Sequence, residues 1–452
     1  SALAGDIYTE LENESGPTRF TGYESASGTG KIVALLTPEG RVDKIDQPPR
    51  EFELVLDTTP FYAERGGEVG DIGTITVGNA LLEVLNTVPH GGIIVHTVRL
   101  AELAGPASIA AGETVSCQVN EERRSAIRRN HTSTHLLHEA LGRVLGRHVR
   151  QAGSLVADEF LRFDFTHHSP MSGAEIDEVE RIVNRQILAN TPVTTKEYRR
   201  EEAQKLGARA LFEEKYGEIV RVVSVAPESG EKDPFSMELC GGLHVRATGD
   251  IGCFKILREE SVGSGTRRIL ATTGLNVLAV LQKLFGLRSA MTDLLSTDED
   301  GLKEKAQGLV DDLRRMKNEL QAVKLRELTE NCDRFLERRK VGDVLLQVGR
   351  FPNVKPDVLR EVGDKAKARP EPTVAVLVSV GDDESCQLVV MADDRAVKLG
   401  ANAGALVKEA SVMLGGKGGG RPTTAQGGGK DGAKLEEALT RVEAMLREQV
   451  KA

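Results

Sequence analysis

The chain has 452 residues and a formal charge of −9, with 40% hydrophobic and 28% charged residues, which is material for about three ordinary domains. No apolar run approaches the ~18 residues that a membrane helix needs. The acidic balance excludes blanket electrostatic attraction to nucleic acid, so any such binding must come from local basic patches. The five cysteines (117, 240, 253, 332 and 386) lie too far apart for a disulfide scaffold, which fits a reducing cytosol with room for one metal thiolate. Aromatic residues are only 4% and tryptophan is absent, so base-stacking platforms are scarce. The Ser1 start, with no signal-peptide pattern, reads as a piece of something longer.

Up to residue 116 the pattern is β. Alternating runs at Lys31–Leu36, Phe52–Leu56, Thr74–Val77, Leu81–Val84 and Gly92–Val98 are separated by glycine, proline and acidic turns, which predicts a small barrel or sandwich. Within it, Thr59-Pro-Phe-Tyr-Ala-Glu-Arg-Gly-Gly-Glu-Val-Gly-Asp71 is either a turn-rich loop or backbone brought close to a ligand. Residues 117–274 read as α+β. Helices are expected over about Glu121–Leu145 and Gly173–Ala189, the second opened by a capping box at Ser172 and Glu175, and strands at Leu155–Val156, Ile219–Val225 and Ile269–Ala271.

From about Leu275 to Leu336 the pattern is helical. Leu302, Ala306, Leu309, Leu313, Met316, Leu320 and Val323 form an a/d seam over about three heptads, and Thr297 and Asp300 are placed to cap that helix. The seam fits a helical hairpin packed on itself or pairing between molecules. From 341 to 452 an α/β pattern follows, with strands at Val344–Val348, Thr373–Val380 and Gln387–Met391 and helices at about Val354–Ala366, Val397–Met413 and Lys434–Val450. A glycine-rich stretch, 415–429, separates the last two helices and reads as a loop. It is not a Walker A loop; it is a flexible linker, or a phosphate-binding segment using exposed N–H groups with Lys417, Arg421 and Lys430. The predicted whole is a multidomain α+β chain: a small β-barrel (1–116), an α+β zinc-containing domain (117–274), a helical hairpin or coiled-coil linker (275–340) and a C-terminal α/β domain (341–452).

The chemistry concentrates in two pairs. His131-Thr-Ser-Thr-His135 places two imidazoles on one helical face, as a shared metal requires, and Cys240-Gly-Gly-Leu-His244 can turn tightly and present a thiolate and an imidazole. Together they make a His, His, Cys, His set of soft donors suited to Zn²⁺. A substrate-facing zinc, a structural zinc and no metal all remain open on spacing alone. From Glu121 to Arg150 there are seven arginines against three glutamates. That local positive field suits a polyanionic substrate through phosphate contacts, or it is a helix face whose charges pair internally.

At this point the residues resemble a family. His131-Thr-Ser-Thr-His135-Leu-Leu-His, Gln151-Ala-Gly-Ser-Leu-Val, Arg162-Phe-Asp-Phe-Thr-His167, Glu238-Leu-Cys-Gly-Gly-Leu-His244-Val and Thr248-Gly-Asp-Ile-Gly252 are similar to the editing domain of alanyl-tRNA synthetases. Thr59-Pro-Phe-Tyr-Ala-Glu-Arg-Gly-Gly resembles the preceding barrel of that family, and 415–429 with Asn402-Ala-Gly resembles its C-terminal domain, which is related to a module of the DHH phosphoesterases. The resemblance covers essentially the whole chain and leaves out the aminoacylation core, where ATP would bind. It implies a cytoplasmic aminoacyl-tRNA deacylase that hydrolyses serine or glycine from mischarged tRNA(Ala). Zinc would be held by His131, His135, Cys240 and His244, with Thr134 and Gln151 in the editing pocket. Arg128, Arg129, Lys417 and Arg421 would contact tRNA, and a homodimer could form through the helical and C-terminal region, with no membrane partner. The alternative is a non-catalytic zinc-stabilised tRNA-binding module. Two positions depart from the family pattern: Leu243 stands where threonine is usual, and Glu68 where glutamine is usual.

Overall fold

The structure, a computed structural model, describes residues 2–46, 50–103, 108–210, 217–226, 233–382 and 384–451. It divides into two compact units, 1–289 and 290–452. Among the described residues no helix is long and apolar enough to cross a membrane.

The first unit begins with a helix, Ala2–Ser15, which the β pattern of this region does not announce; its Leu11 is fully buried with Ala34, Val55 and Val95. A closed six-stranded antiparallel barrel follows. Its ring order is Ser27–Thr37, Glu51–Leu56, Ile93–Leu103, Ala80–His90, Gly73–Val77 and Thr114–Val119, and the last strand pairs back onto the first. Period-two alternation drives closure: in Thr114–Val119 the side chains of Val115, Cys117 and Val119 turn inward and their neighbours outward.

The chain then enters a long helix, Glu121–Val144, here called the ligand helix. Asn120 caps it by accepting from the Arg123 N–H, and Glu121 and Glu122 sit in its first turn. From Asn130 to Gly142 every residue is buried, because other elements enclose the helix. A four-stranded antiparallel sheet has the order Gln151–Val156, Leu161–Thr166, Thr266–Thr273, Phe254–Gly263. The helix Gly173–Leu188 opens with the expected reciprocal capping box of Ser172 and Glu175. A three-stranded sheet, Val193–Arg199, Ile219–Val225 and Ser236–Leu239, delivers the chain to Cys240.

In the second unit a six-stranded sheet runs in the order Leu336–Val341, Val344–Pro352, Thr373–Val380, Cys386–Ala392, Thr424–Gly429, Lys417–Gly420; Val344–Pro352 and Thr373–Val380 are parallel and the other pairs antiparallel. Helix Pro356–Ala366 covers one face through Leu359 and Val362, and helices Ala403–Met413 and Leu435–Lys451 cover the other. The glycine-rich stretch is therefore not the expected loop. It forms the two edge strands Lys417–Gly420 and Thr424–Gly429, and Gly418 lies opposite Gly427. A Cβ on either glycine would come within 2.5 and 2.3 Å of the Ser411 hydroxyl oxygen, so the absent side chains let helix Ala403–Met413 rest on the strand backbone.

Three further expectations change. The helix expected over 397–413 is broken into Asp394–Lys398 and Ala403–Met413, the second newly capped by Asn402. Helix Leu302–Glu330 begins at Gly301, whose N–H is taken by Asp298 rather than by Thr297 or Asp300. Its seam does not pack into a core: Leu313 is 68% and Met316 62% exposed.

The barrel core holds one titratable group of note. His96 is fully buried, its Nδ1 on the Leu54 carbonyl at 3.0 Å and its Nε2 on the Thr59 hydroxyl at 2.8 Å, and burial lowers its pKa from 6.5 to about 4. The unfolded chain thus binds a proton that the folded barrel refuses between these two values. This contribution to stability is complete above pH 6.5 and is lost as pH falls towards 4, by up to roughly 3 kcal/mol. Denaturant titrations of the wild type and His96→Gln at pH 7 and pH 4.5 should show a smaller acid loss in the variant; equal losses would remove His96 from this role.

Candidate metal centre and its pocket

The four donors come from two segments of the first unit. The ligand helix supplies His131 and His135 one turn apart, and the turn after Ser236–Leu239 supplies Cys240 and His244. One donor atom from each of the four lies within 4.8 Å of the others. Cys240 Sγ is 3.3 Å from His131 Nε2 and 3.4 Å from His244 Nε2.

What aims these nitrogens is a set of partners on the far side of each ring. Glu68 accepts from His131 Nδ1 at 2.6 Å, Glu238 from His135 Nδ1 at 2.5 Å, and the Thr132 hydroxyl oxygen from His244 Nδ1 at 3.2 Å. A carboxylate can only accept, and the Thr132 hydrogen is committed to the Arg128 carbonyl, so each Nδ1 carries a proton and each Nε2 is the nitrogen turned inward. Among the described residues His135 Nε2 is buried with no hydrogen-bond partner. An unpartnered buried nitrogen, two more Nε2 atoms and a thiol converging on one point fit a metal ion: three imidazoles and one sulfur are a complete tetrahedral donor set. Burial opposes a thiolate at Cys240, but His131, His244 and His135 hold its pKa well below the ordinary thiol value. Burial would likewise raise Glu238, but His135 and His138 bring it down to about 2.

The glycines of Cys240-Gly-Gly are needed on steric grounds. A Cβ on Gly242 would stand 2.1 Å from His131 Cε1 and 2.3 Å from Glu68 Oε2. The turn is pinned from outside: Arg221 donates to the Gly242 carbonyl at 2.5 Å while its guanidinium stacks 4.1 Å from the Tyr23 ring, and the Tyr23 hydroxyl donates to the Gly241 carbonyl at 2.6 Å. Beneath, fully buried Arg124 locks the ligand helix to the barrel by donating to Asp71 at 2.5 Å and to the carbonyls of Pro60 and Gly22.

His131, His135 and Cys240 lie at the wall of a cavity of about 770 Å³ lined also by Tyr62, Arg65, Gly66, Gly67, Thr134, Gln151 and Ser154, while His244 is outside the lining. The glycine-rich barrel loop therefore brings backbone to the cavity, with Gly66 and Gly67 at φ of +64° and +90°. Gln151 Oε1 is buried without a partner among the described residues, while its Nε2 donates to Ser154 Oγ. Thr134 donates to the Asn130 carbonyl, leaving its oxygen free to accept. Leu243 is buried and does not line the cavity; its N–H donates to Glu68 at 2.9 Å.

Arg128 and Arg129 stand outside the lining. Arg128 pairs with Glu121 at 3.1 Å, and Arg129 packs on Gly274. Lys417 and Arg421, in the second unit, are exposed. The two carboxylates behind the histidines were not identifiable as partners from spacing, since Glu68 is 63 residues from His131 and Glu238 is 103 from His135; the only available sign was their nearness to the two glycine motifs.

Three family models match the chain: tRNA synthetases class II (A) over residues 3–123, the threonyl and alanyl tRNA synthetase second additional domain over 220–269, and the DHHA1 domain over 343–448. The alanine–tRNA ligase of Alkaliphilus oremlandii (strain OhILAs) is 40% identical over 448 residues, 98% of this chain and 49% of the ligase. That of Pelotomaculum thermopropionicum is 38% identical over 447 residues, 98% of this chain and 50% of the ligase. Among solved structures, the C-Ala domain from Aquifex aeolicus alanyl-tRNA synthetase is 32% identical, covers 25% of this chain and 98% of that one, and gives a TM-score of 0.23. The chain spans about half the length of the curated relatives it matches. With three family models in the order barrel, second additional domain and DHHA1, and relatives aligned along nearly its whole length, the chain belongs to the alanyl-tRNA synthetase family.

Proposed function

We propose that this chain is the editing and C-terminal part of an alanine–tRNA ligase, hydrolysing the ester of tRNA(Ala) mischarged with serine or glycine. The observation that carries this reading is one cavity whose wall holds three of the four clustered donors, with the buried His135 Nε2 and the buried Gln151 amide oxygen both unpartnered among the described residues. His131, His135, Cys240 and His244 would hold zinc, which supplies a fixed positive charge able to stabilise negative charge developing on the ester carbonyl oxygen.

The remaining roles belong to the protein. Glu68, Glu238 and Thr132 fix the tautomer and pitch of the three rings. Thr134 can accept a hydrogen bond from the aminoacyl ammonium or from the attacking water. Gln151 Oε1 accepts from the serine hydroxyl. Alanine lacks that hydroxyl and leaves the amide oxygen unpaired in a buried place, which costs about 1–3 kcal/mol. An apolar synthetic pocket cannot reject serine to that extent, so a second site of opposite polarity supplies the discrimination. In this reading residues 1–116 form the barrel, 117–274 the editing domain, 275–340 a helical linker whose exposed seam could pair in a homodimer, and 341–452 a domain that binds the tRNA body through Lys417 and Arg421, with Arg128 and Arg129 as further tRNA contacts. The setting is cytoplasmic.

The protein should deacylate Ser-tRNA(Ala) much faster than Ala-tRNA(Ala) and lose that activity on chelation or in His135→Ala. Binding of mischarged tRNA without ester loss would instead support the non-catalytic zinc module. Gln151→Ala should reduce the Ser/Ala rate ratio by about tenfold, in keeping with the cost of one unpaired polar group; an unchanged ratio removes Gln151 from the selectivity. Glu238→Ala should weaken metal retention by ~10–100-fold in a competition titration with a chromogenic chelator, and an unchanged affinity would show that the histidines are oriented by other means.

A further inference from the structure

The arginine surplus of the ligand helix resolves into two parts. At its N-terminal end most charges are matched: Arg123 with Asp158 at 3.2 Å, Arg124 with Asp71 at 2.5 Å and Arg128 with Glu121 at 3.1 Å. At the C-terminal end three guanidiniums share one carboxylate. Arg143 Nε lies 2.8 Å from Glu139 Oε1, Arg147 lies 3.8 Å from Oε2, and Arg209, arriving from another segment, also donates to Oε2. Glu139 is nearly buried, whereas Arg147 is 76%, Arg143 43% and Arg209 32% exposed. Among the described residues the group carries two positive charges beyond its single negative one.

Its location gives the surplus a meaning. Glu139 is four residues, ~6 Å of helix axis, beyond His135. Arg209 is bound into the strand that carries Glu238: its backbone N–H donates to the Met237 carbonyl, and the Leu239 N–H donates to its own. The same two elements that place His135 and Cys240 thus place this cluster beside them. Arg143 is further held by stacking 4.2 Å from the Phe235 ring. Ordered guanidiniums with spare N–H donors, partly exposed and undercompensated, are complementary to phosphate oxygens. In a chain of charge −9, such a patch is a local attractor for RNA on a protein of net negative charge.

We infer that Arg143, Arg147 and Arg209 form a phosphate-contact surface for the RNA backbone leading into the cavity, with Glu139 ordering the three guanidiniums. The inference rests on the functional reading above and adds to it the segment of the substrate that is gripped. Glu139 sets the strength of the grip: it holds the arginines in register while cancelling one of their three charges. Removing an arginine weakens RNA binding, and neutralising the carboxylate strengthens it, a sign that a purely structural ion cluster does not give.

The test uses the full chain loaded with zinc and a serine-esterified RNA hairpin with a duplex stem and a single-stranded 3′ end, with deacylation followed across a range of salt concentrations. Arg147→Ala should raise KM severalfold at unchanged kcat and reduce the slope of log KM against log salt by about one. Glu139→Gln should lower KM and steepen the slope. Glu39→Gln, the same change of charge at an exposed barrel turn, should do neither. If Arg147→Ala leaves KM and slope unchanged, or Glu139→Gln matches Glu39→Gln or weakens binding while thermal melting shows it folded, the surface is overturned and the deacylase reading stands. If the parent protein neither binds nor cleaves the hairpin, the deacylase reading itself fails and the surface with it.

Discussion

The site depends on control of the Nδ1 edge of each histidine. Three imidazoles and a thiol within 4.8 Å of one another would repel or rotate apart unless each ring were held from behind. Glu68, Glu238 and Thr132 do this from the barrel loop, the three-stranded sheet and the ligand helix itself. Glu238 serves two rings, its other oxygen taking His138 Nδ1 at 2.7 Å. The convergent Nε2 geometry is therefore a property of the packed unit rather than of the His-x-x-x-His spacing.

The spacing nevertheless made the donors legible. A helix repeats every 3.6 residues, so residues 131 and 135 must share a face wherever the helix lies, and a Cys-Gly-Gly-Leu-His segment can turn tightly enough to bring its ends together. The boundaries of the ligand helix, the capping box at Ser172 and the strand Thr373–Val380 were readable for the same reason: each follows from a period or a cap within a few residues. The partners Glu68 and Glu238 were not readable, because nothing local distinguishes a carboxylate that will meet a histidine 63 or 103 residues away from one that will face water. The glycine strands 417–420 and 424–429 failed for the opposite reason. A strand without side chains has no alternation to detect, and its cause is the helix resting on its backbone. The first helix, Ala2–Ser15, leaves no sign in a region whose turns and alternation point to strands.

Composition gave a further lesson about charge. The net value of −9 and the seven arginines of 121–150 are both sequence facts, yet neither locates the surplus. Only the pairing pattern separates Arg124, whose charge is spent on Asp71 and three backbone carbonyls, from Arg147, which lies 3.8 Å from a carboxylate already claimed by two others. A buried, fully bonded guanidinium acts as a fastener, since removing it would strand Asp71 in a dry interior. An exposed one in a crowded cluster has N–H donors to offer.

The same distinction explains why the barrel belongs to the site. Asp71 Oδ2 accepts from Arg124 and from the Tyr62 N–H at 2.7 Å, so the loop 60–71 is tied at its far end to the first turns of the ligand helix. Between those ties Gly67 approaches so closely that a Cβ would sit 2.4 Å from the Ser154 carbonyl oxygen, and Val156 bonds the Gly67 carbonyl at 2.7 Å. Glu68 is thereby placed with almost no freedom, against His131 on one side and the Leu243 N–H on the other. A carboxylate fixed by backbone on both flanks loses little further entropy on gripping a ring. A longer, freer side chain reaching from solvent would lose more. The loop's glycines and the buried ion pair beneath them therefore act on the donor cluster through one residue, and the barrel completes a centre to which it gives no donor atom.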